Sequence, residues 1–210
     1  MHERTESFGY ESTLDTEPDV SCSPGSKRQS IRSLTHLASE ISAVLKRPED
    51  GERLGKVKEI MERYSGTDWN MFARDPSINP DCSIGYERVS VFSFPGLFDL
   101  LLLSWNPGAK SPIHNHPCER CFLMALSGSM KETRYKLSVY NSLEAVDNLP
   151  IPIGVATWIS DDIGLHSISN AGDLTSYSLH CYVPGFTTPC LIFDPVTGIS
   201  SFIPITTYSN

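Results

Sequence analysis

From Tyr86 onward the chain runs as short apolar segments broken at close intervals by glycine, proline, asparagine and aspartate. They read YERVSVFSF, FDLLLLSW, CFLMALSG, ETRYKLSVY, GVATWI, HSISN, TSYSLHCYV and CLIFD. Segments this short, rich in Val, Ile, Phe, Leu and Tyr and separated by turn formers, predict an all-β sandwich or barrel. The greasiest stretch, LFDLLLLSW, is interrupted by Asp99 and predicts a buried strand. No apolar run approaches the roughly 20 residues of a membrane-spanning helix, so no membrane partner is expected.

The N-terminal part has a different pattern. Residues 1–29 are rich in Ser, Glu, Asp, Thr and Pro and poor in aliphatics, which predicts a disordered tail. IRSLTHLASEISAVLK then sets Ile31, Leu34, Leu37, Ile41 and Val44 at three- and four-residue intervals, the pattern of an amphipathic helix, stopped by Pro48. ERLGKVKEIMERY puts Leu54, Val57, Ile60 or Met61, and Tyr64 on one face of a second helix, with Gly66 as its end signal. DWNMFARDP predicts a further helical turn before Pro76. The expected fold is mainly β: a single domain over residues 30–210, with helices over 30–75 packed on a β-barrel over 84–205.

Charge narrows the function. The formal net charge is −8, the pI is about 5.2, and no basic patch occurs, so the chain repels phosphate backbones and no nucleic-acid partner is expected. The first 20 residues lack an apolar core and carry recurring acids, unlike a secretory signal. A cytoplasmic monomer is expected. The six cysteines are irregularly spaced, which favours free thiols over disulfides.

The chemistry concentrates in SPIHNHPCERC, residues 111–121. His114 and His116 are one residue apart, and on a strand positions i and i+2 face one side, where two imidazoles can share an ion. Two histidines at an exposed strand edge would look the same locally. Cys118 and Cys121 form a C-x-x-C, but no second pair occurs, and no strand-to-helix turn follows to activate a thiol. Farther on, GLHSISN offers His166 with Asn170 four positions later. In SLHCYV, Ser178, His180 and Tyr182 alternate along one strand face and can form a hydrogen-bond relay. On spacing alone His180 competes with His166 as a third ligand. Tyr86 and Arg88 share a side of their strand, and Arg88 carries a planar fork of donors suited to a carboxylate.

Gly108, His114, His116 and Gly128 fit the first motif of the cupin superfamily, and His166 with Asn170 fits the end of its second. The sequence resembles that superfamily, with two departures. Cys121 stands where the metal-binding glutamate is usual, and DDIG replaces the P-x-G before the last histidine. The cysteine narrows the likeness to the thiol dioxygenases, and to the cysteine dioxygenase family among them. YER, CFLMALSGSMKETRY, DIGLHSISN and SLHCYVPGF carry that resemblance.

The resemblance implies a jelly-roll-like β-barrel with His114, His116 and His166 as ligands of Fe(2+) and no carboxylate ligand. Three neutral imidazoles leave a ferrous ion its full charge and about three open positions, which a thiolate substrate and dioxygen can use. It further implies L-cysteine and O2 as substrates, a sulfinate product, and substrate binding by Arg88 and Tyr86. Tyr182, Cys121, His180 and Ser178 are implied to take part in catalysis, Cys121 and Tyr182 through a thioether crosslink. Positions 116 and 121 would face opposite sides of an unbroken strand, so a break near Pro117 is required. Cys190 is implied near the pocket mouth; Cys118, Cys22, Cys82, Cys181, His2 and His36 have no implied role. A dioxygenase for mercaptopropionate or cysteamine, or a metal-binding cupin without turnover, would share the ligand set.

Overall fold

The computed structural model describes residues 29–78, 84–116, 118–138, 142–185 and 189–203. The expected tail, apart from Gln29, lies outside them, as do His2, Cys22, Cys82 and Pro117.

Ser33 opens helix α1 (Leu34–Leu45) by accepting a hydrogen bond from the His36 N–H at 3.2 Å. The predicted spacing buries Leu34, Leu37, Ile41 and Val44. Helix α2 (Arg53–Glu62) buries Val57, Ile60 and Met61 in the same cluster. A 3-10 turn at Asp68–Met71 follows, as the sequence predicts. The Asp68 carboxylate holds it, accepting from the Leu34 N–H at 2.8 Å and the Tyr64 hydroxyl at 2.7 Å. Gly66 is not the end signal expected of it. The helix stops at Glu62, and a Cβ on Gly66 would stand 2.3 Å from the Arg32 carbonyl oxygen. The glycine permits two chain segments to pass close together beside the Ile31–Tyr64 bridge.

The strands are β1 (Tyr86–Phe94), β2 (Phe98–Trp105), β3 (Ile113–His114), β4 (Arg120–Ser127), β5 (Met130–Leu137), β6 (Leu143–Ile151), β7 (Ala156–Ile159), β8 (Leu165–Asn170), β9 (Ser176–Val183), β10 (Cys190–Phe193) and β11 (Ser200–Ile203). They form two antiparallel sheets, ordered β1-β2-β9-β4-β7 and β11-β10-β3-β8-β5-β6. The expected jelly roll is present as two facing sheets rather than as one closed ring of hydrogen bonds among the described residues. No helix among those residues is long and apolar enough to cross a membrane.

The five-stranded sheet is buried on both faces, which explains the unbroken greasiness of β2. Leu100 and Leu102 pack in one core with α1 and α2. Leu101, Leu103 and Trp105 pack in a second core, shared with Met130, Ile151 and Ile168 of the six-stranded sheet. Strand β9 alternates likewise. Leu179, Cys181 and Val183 lie in the helix-side core, while Tyr182 lies in the core between the sheets. Cys181 is therefore structural. Strand β6 was not legible in the sequence, because it is an edge strand, exposed from Glu144 to Pro150, with no buried face to impose alternation.

Candidate active site

The two-residue strand β3 ends at His114, so the H-x-H does not lie on one strand, contrary to the sequence expectation. His116 sits beyond the strand end, on the connection to β4 in the other sheet. That crossing removes the parity conflict between positions 116 and 121. His166 comes from β8, directly opposite His114 in the ladder. The Asp161 carboxylate fixes the connection, accepting from the His116 N–H at 2.5 Å and from Asn115 Nδ2 at 3.1 Å. Asn115 Oδ1 in turn accepts from the Leu191 N–H at 2.7 Å.

The three rings converge. Their centroids stand 4.8 Å (His114–His116), 4.7 Å (His114–His166) and 4.4 Å (His116–His166) apart, and one ring nitrogen from each lies within 4.8 Å of the others. His114 Nδ1 donates to the Pro112 carbonyl at 2.9 Å, and His166 Nδ1 to Glu132 Oε1 at 2.8 Å, so both Nε2 lone pairs are left free. His116 is 1% exposed, and neither of its ring nitrogens has a hydrogen-bond partner. A buried imidazole without a partner is costly unless something else takes its lone pair. A transition-metal ion among these three nitrogens satisfies it. Burial holds all three imidazoles neutral, with His114 lowered to about 4 and His116 and His166 well below the usual histidine range. Neutral imidazole is the ligating form.

Among the described residues no carboxylate joins the three rings, but Glu132 stands directly behind one of them. It is 2% exposed and lies one hydrogen bond behind His166, outside the ring cluster itself. The sequence carried no signal for it, since β5 reads as an ordinary hairpin strand.

The five-stranded sheet supplies the facing groups. Cys121 and Tyr182 are direct cross-strand partners on β4 and β9, both buried, and the tyrosine hydroxyl hydrogen-bonds the thiol. Burial pushes both groups well above their usual pKa ranges. The Ser178–His180 link of the expected relay is present, and Trp105 joins it at the Ser178 end. Trp105 Nε1 donates to Ser178 Oγ at 2.8 Å, and Ser178 Oγ lies 2.9 Å from His180 Nε2. Trp105 can only donate, so Ser178 is free to give its own proton to His180. The His180 ring stacks at 6.3 Å from that of Tyr182. Burial, and then the charge fields of His114 and Arg88, lower His180 to about 3. Engaged with Ser178, His180 stands outside the three-ring cluster, which leaves the third position to His166.

Tyr86 stacks on Trp105 at 4.4 Å, and the Arg88 guanidinium carbon sits 5.8 Å from the Tyr86 ring centroid. Arg88 is close enough to bias His114, His180, Tyr182 and Cys190 electrostatically. Among the described residues no carboxylate pairs with it. Cys190 is half-buried at the start of β10. Cys118 is half-buried with its thiol pushed up to about 12, mainly by burial, which fits an inert side chain. Asn170, found by its motif spacing, is a structural staple. Its amide donates to the carbonyls of Trp105, Asn106 and Leu174 and accepts from Gly172 and Ser176.

The family model for cysteine dioxygenase type I matches residues 25–195. The chain belongs to that family. Cysteine dioxygenase type 1 of Homo sapiens is 33% identical over 166 residues, covering 77% of this chain and 80% of that protein. The Danio rerio protein of the same name is 30% identical over 167 residues, with the same coverage. A solved structure of oxalate oxidase with the substrate analogue glycolate aligns at a TM-score of 0.40, with 18% identity over 54% of this chain and 59% of that one. Family membership makes the chain an enzyme of the thiol dioxygenase kind, with a three-histidine centre suited to a metal ion.

Proposed function

We propose that the chain is an iron-dependent dioxygenase that adds both atoms of O2 to the sulfur of L-cysteine and releases cysteine sulfinate. The thiol and O2 combine without loss of atoms: sulfur is oxidised by four electrons and the two oxygen atoms are reduced. One observation carries the reading. Three convergent imidazoles, one of them with both nitrogens orphaned, share the space between the sheets with the Cys121–Tyr182 pair and the Arg88 guanidinium.

His114, His116 and His166 would hold ferrous iron, which supplies a redox-active centre with room for a thiolate and a gas. The protein's own side chains do the rest. Arg88 binds the substrate carboxylate through charge-assisted hydrogen bonds, resting against Tyr86. Burial keeps His180 neutral, and the Trp105–Ser178 chain orients it beneath Tyr182. The Tyr182 hydroxyl, held protonated by burial, is a donor for the oxygen end of the reacting group. Leu101, Leu123 and Ile159 form an apolar floor that excludes water. Cys121 and Tyr182 are the pair in which a thioether can form. The thiol and an aromatic C–H each lose hydrogen, a sulfur–carbon bond forms, and O2 is reduced to hydrogen peroxide.

Arg88 favours a thiol bearing a carboxylate over cysteamine, and retention of activity on mercaptopropionate would show that the amine is dispensable. The test is oxygen uptake by the ferrous-loaded protein with each thiol, and mass spectrometry of the product under 18O2. Uptake with L-cysteine and a sulfinate carrying both labelled atoms is expected. No uptake, or uptake with cysteamine in preference, would overturn the assignment.

A further inference from the structure

The three histidines are not equivalent. His114 leans on a backbone carbonyl and His116 on nothing, but His166 leans on a buried carboxylate. That carboxylate is held at both ends. Glu132 Oε1 accepts from His166 Nδ1 at 2.8 Å, while Oε2 accepts from Arg134 Nε at 3.1 Å and lies 3.0 Å from Nη2. Arg134 Nη2 also donates to the Trp158 carbonyl at 3.4 Å, which orients the guanidinium. Strand geometry builds this line. Glu132 and Arg134 are two apart on β5 and share a face, and Arg134 is the direct ladder partner of His166. With both oxygens engaged, the carboxylate cannot turn into the metal position without abandoning a partner.

A carboxylate behind an imidazole draws on the Nδ1 proton and enriches the Nε2 lone pair, strengthening the ligand. A guanidinium on the other oxygen draws that charge back. We propose that Arg134, acting through Glu132, limits the donor strength of His166 and so tunes the metal affinity of the site. Glu132 does not replace the glutamate absent from the ligand position at Cys121, since its carboxylate is paired with Arg134 and reaches the metal site only through His166. Both are positioning residues, since neither reaches the reacting atoms. The inference rests on the metal site proposed above.

The test is titration of the metal-free protein with Co2+ against a competing chelator, followed by the cobalt visible band, with folding checked by circular dichroism. The wild-type protein is expected to bind one equivalent. Glu132→Gln keeps the shape but not the charge, and should weaken Co2+ binding by about 10- to 100-fold. Arg134→Met should tighten it, by roughly tenfold or less. Arg134→Lys should return it toward wild type. If Arg134→Met does not fold, Arg134→Gln replaces it with the same expected direction. In the double variant Glu132→Gln/Arg134→Met, the arginine change should have no further effect.

Opposite signs for the two single variants are what a purely structural role cannot produce. Weakening or no change on removing Arg134 overturns the proposal. So does an equal tightening in the Glu132→Gln background, which would mean that Arg134 acts through space. Failure of the wild-type protein to bind Co2+ removes the metal site itself, a result separate from any ordering among the variants, and the inference falls with it.

Discussion

Cys121 stands where the cupin pattern places a metal-binding glutamate, and the exchange decides what the centre can hold. A glutamate there would add a negative charge and fill a position. The thiol is buried, protonated and turned toward Tyr182, so it does neither. In the proposed function the charge comes from a substrate, which Arg88 selects. Arg88→Ala should raise KM for L-cysteine roughly 10- to 100-fold, the loss of charge-assisted hydrogen bonds, while iron content by atomic emission stays normal. Unchanged kinetics would remove Arg88 from the pocket. Tyr182→Phe should lower kcat by about tenfold or more and abolish any fast-migrating crosslinked band on a denaturing gel. If Cys121→Ser and the wild-type protein give identical single bands, the thioether does not form here.

At the scale of elements, the site depends on how β3 ends. A strand running through His116 would have turned the three rings and Cys121 to incompatible faces. Instead the chain leaves the six-stranded sheet after His114 and enters the other at Arg120, with Asp161 holding the crossing by the His116 N–H and Asn115. Asp161→Ala should weaken metal retention on dialysis by on the order of tenfold, although Asp161 touches no ligand ring. Retention equal to wild type would show that the loop holds its shape without it. The β4–β5 hairpin turns at Gly128, where φ is +83° and a Cβ would stand 2.0 Å from Ser176 Oγ. Gly128→Ala should therefore cost about 1–3 kcal/mol in urea unfolding, and a smaller loss would mean that Ser176 moves aside at little cost.

On the scale of the whole molecule, the two sheets enclose four neutral histidines: His114, His116, His166 and His180. Unfolded, these imidazoles take up protons near pH 6.5. Folded, burial keeps them neutral far below that, His114 to about 4 and His180 to about 3. Between those limits the unfolded chain binds more protons than the folded one, so the metal-free protein loses stability as pH falls from 6.5. Each such histidine contributes up to about 1.4 kcal/mol per pH unit. Glu132 works in the opposite direction just above the usual carboxylate range, because burial raises its carboxyl, and it offsets part of the loss. His180→Gln should flatten the dependence by about one proton, measured by urea unfolding at about pH 7, 6 and 5. An unaltered slope would mean that His180 is not the buried neutral base described.

The sequence by itself determined what local pattern and spacing can carry. The two periodic helices and the apolar runs of β1, β2, β4 and β9 were legible from local pattern, because each leaves a signature within a few residues of itself. The histidine pair at 114 and 116 was legible as a possible ligand pair, while His166, Arg88, Cys121 and Tyr182 were picked out only through the resemblance to the family's motifs. Only the tertiary structure decided the rest. Strand β6 has no buried face and so no pattern. Gly66 serves a close approach that involves Arg32, and Trp105 meets Ser178 across 73 residues. Glu132, Arg134 and Asp161 are ordinary charged residues until the sheets fold them against His166 and His116. Charge and hydrogen bonding act over a few ångströms in space, and sequence separation does not record which residues those are.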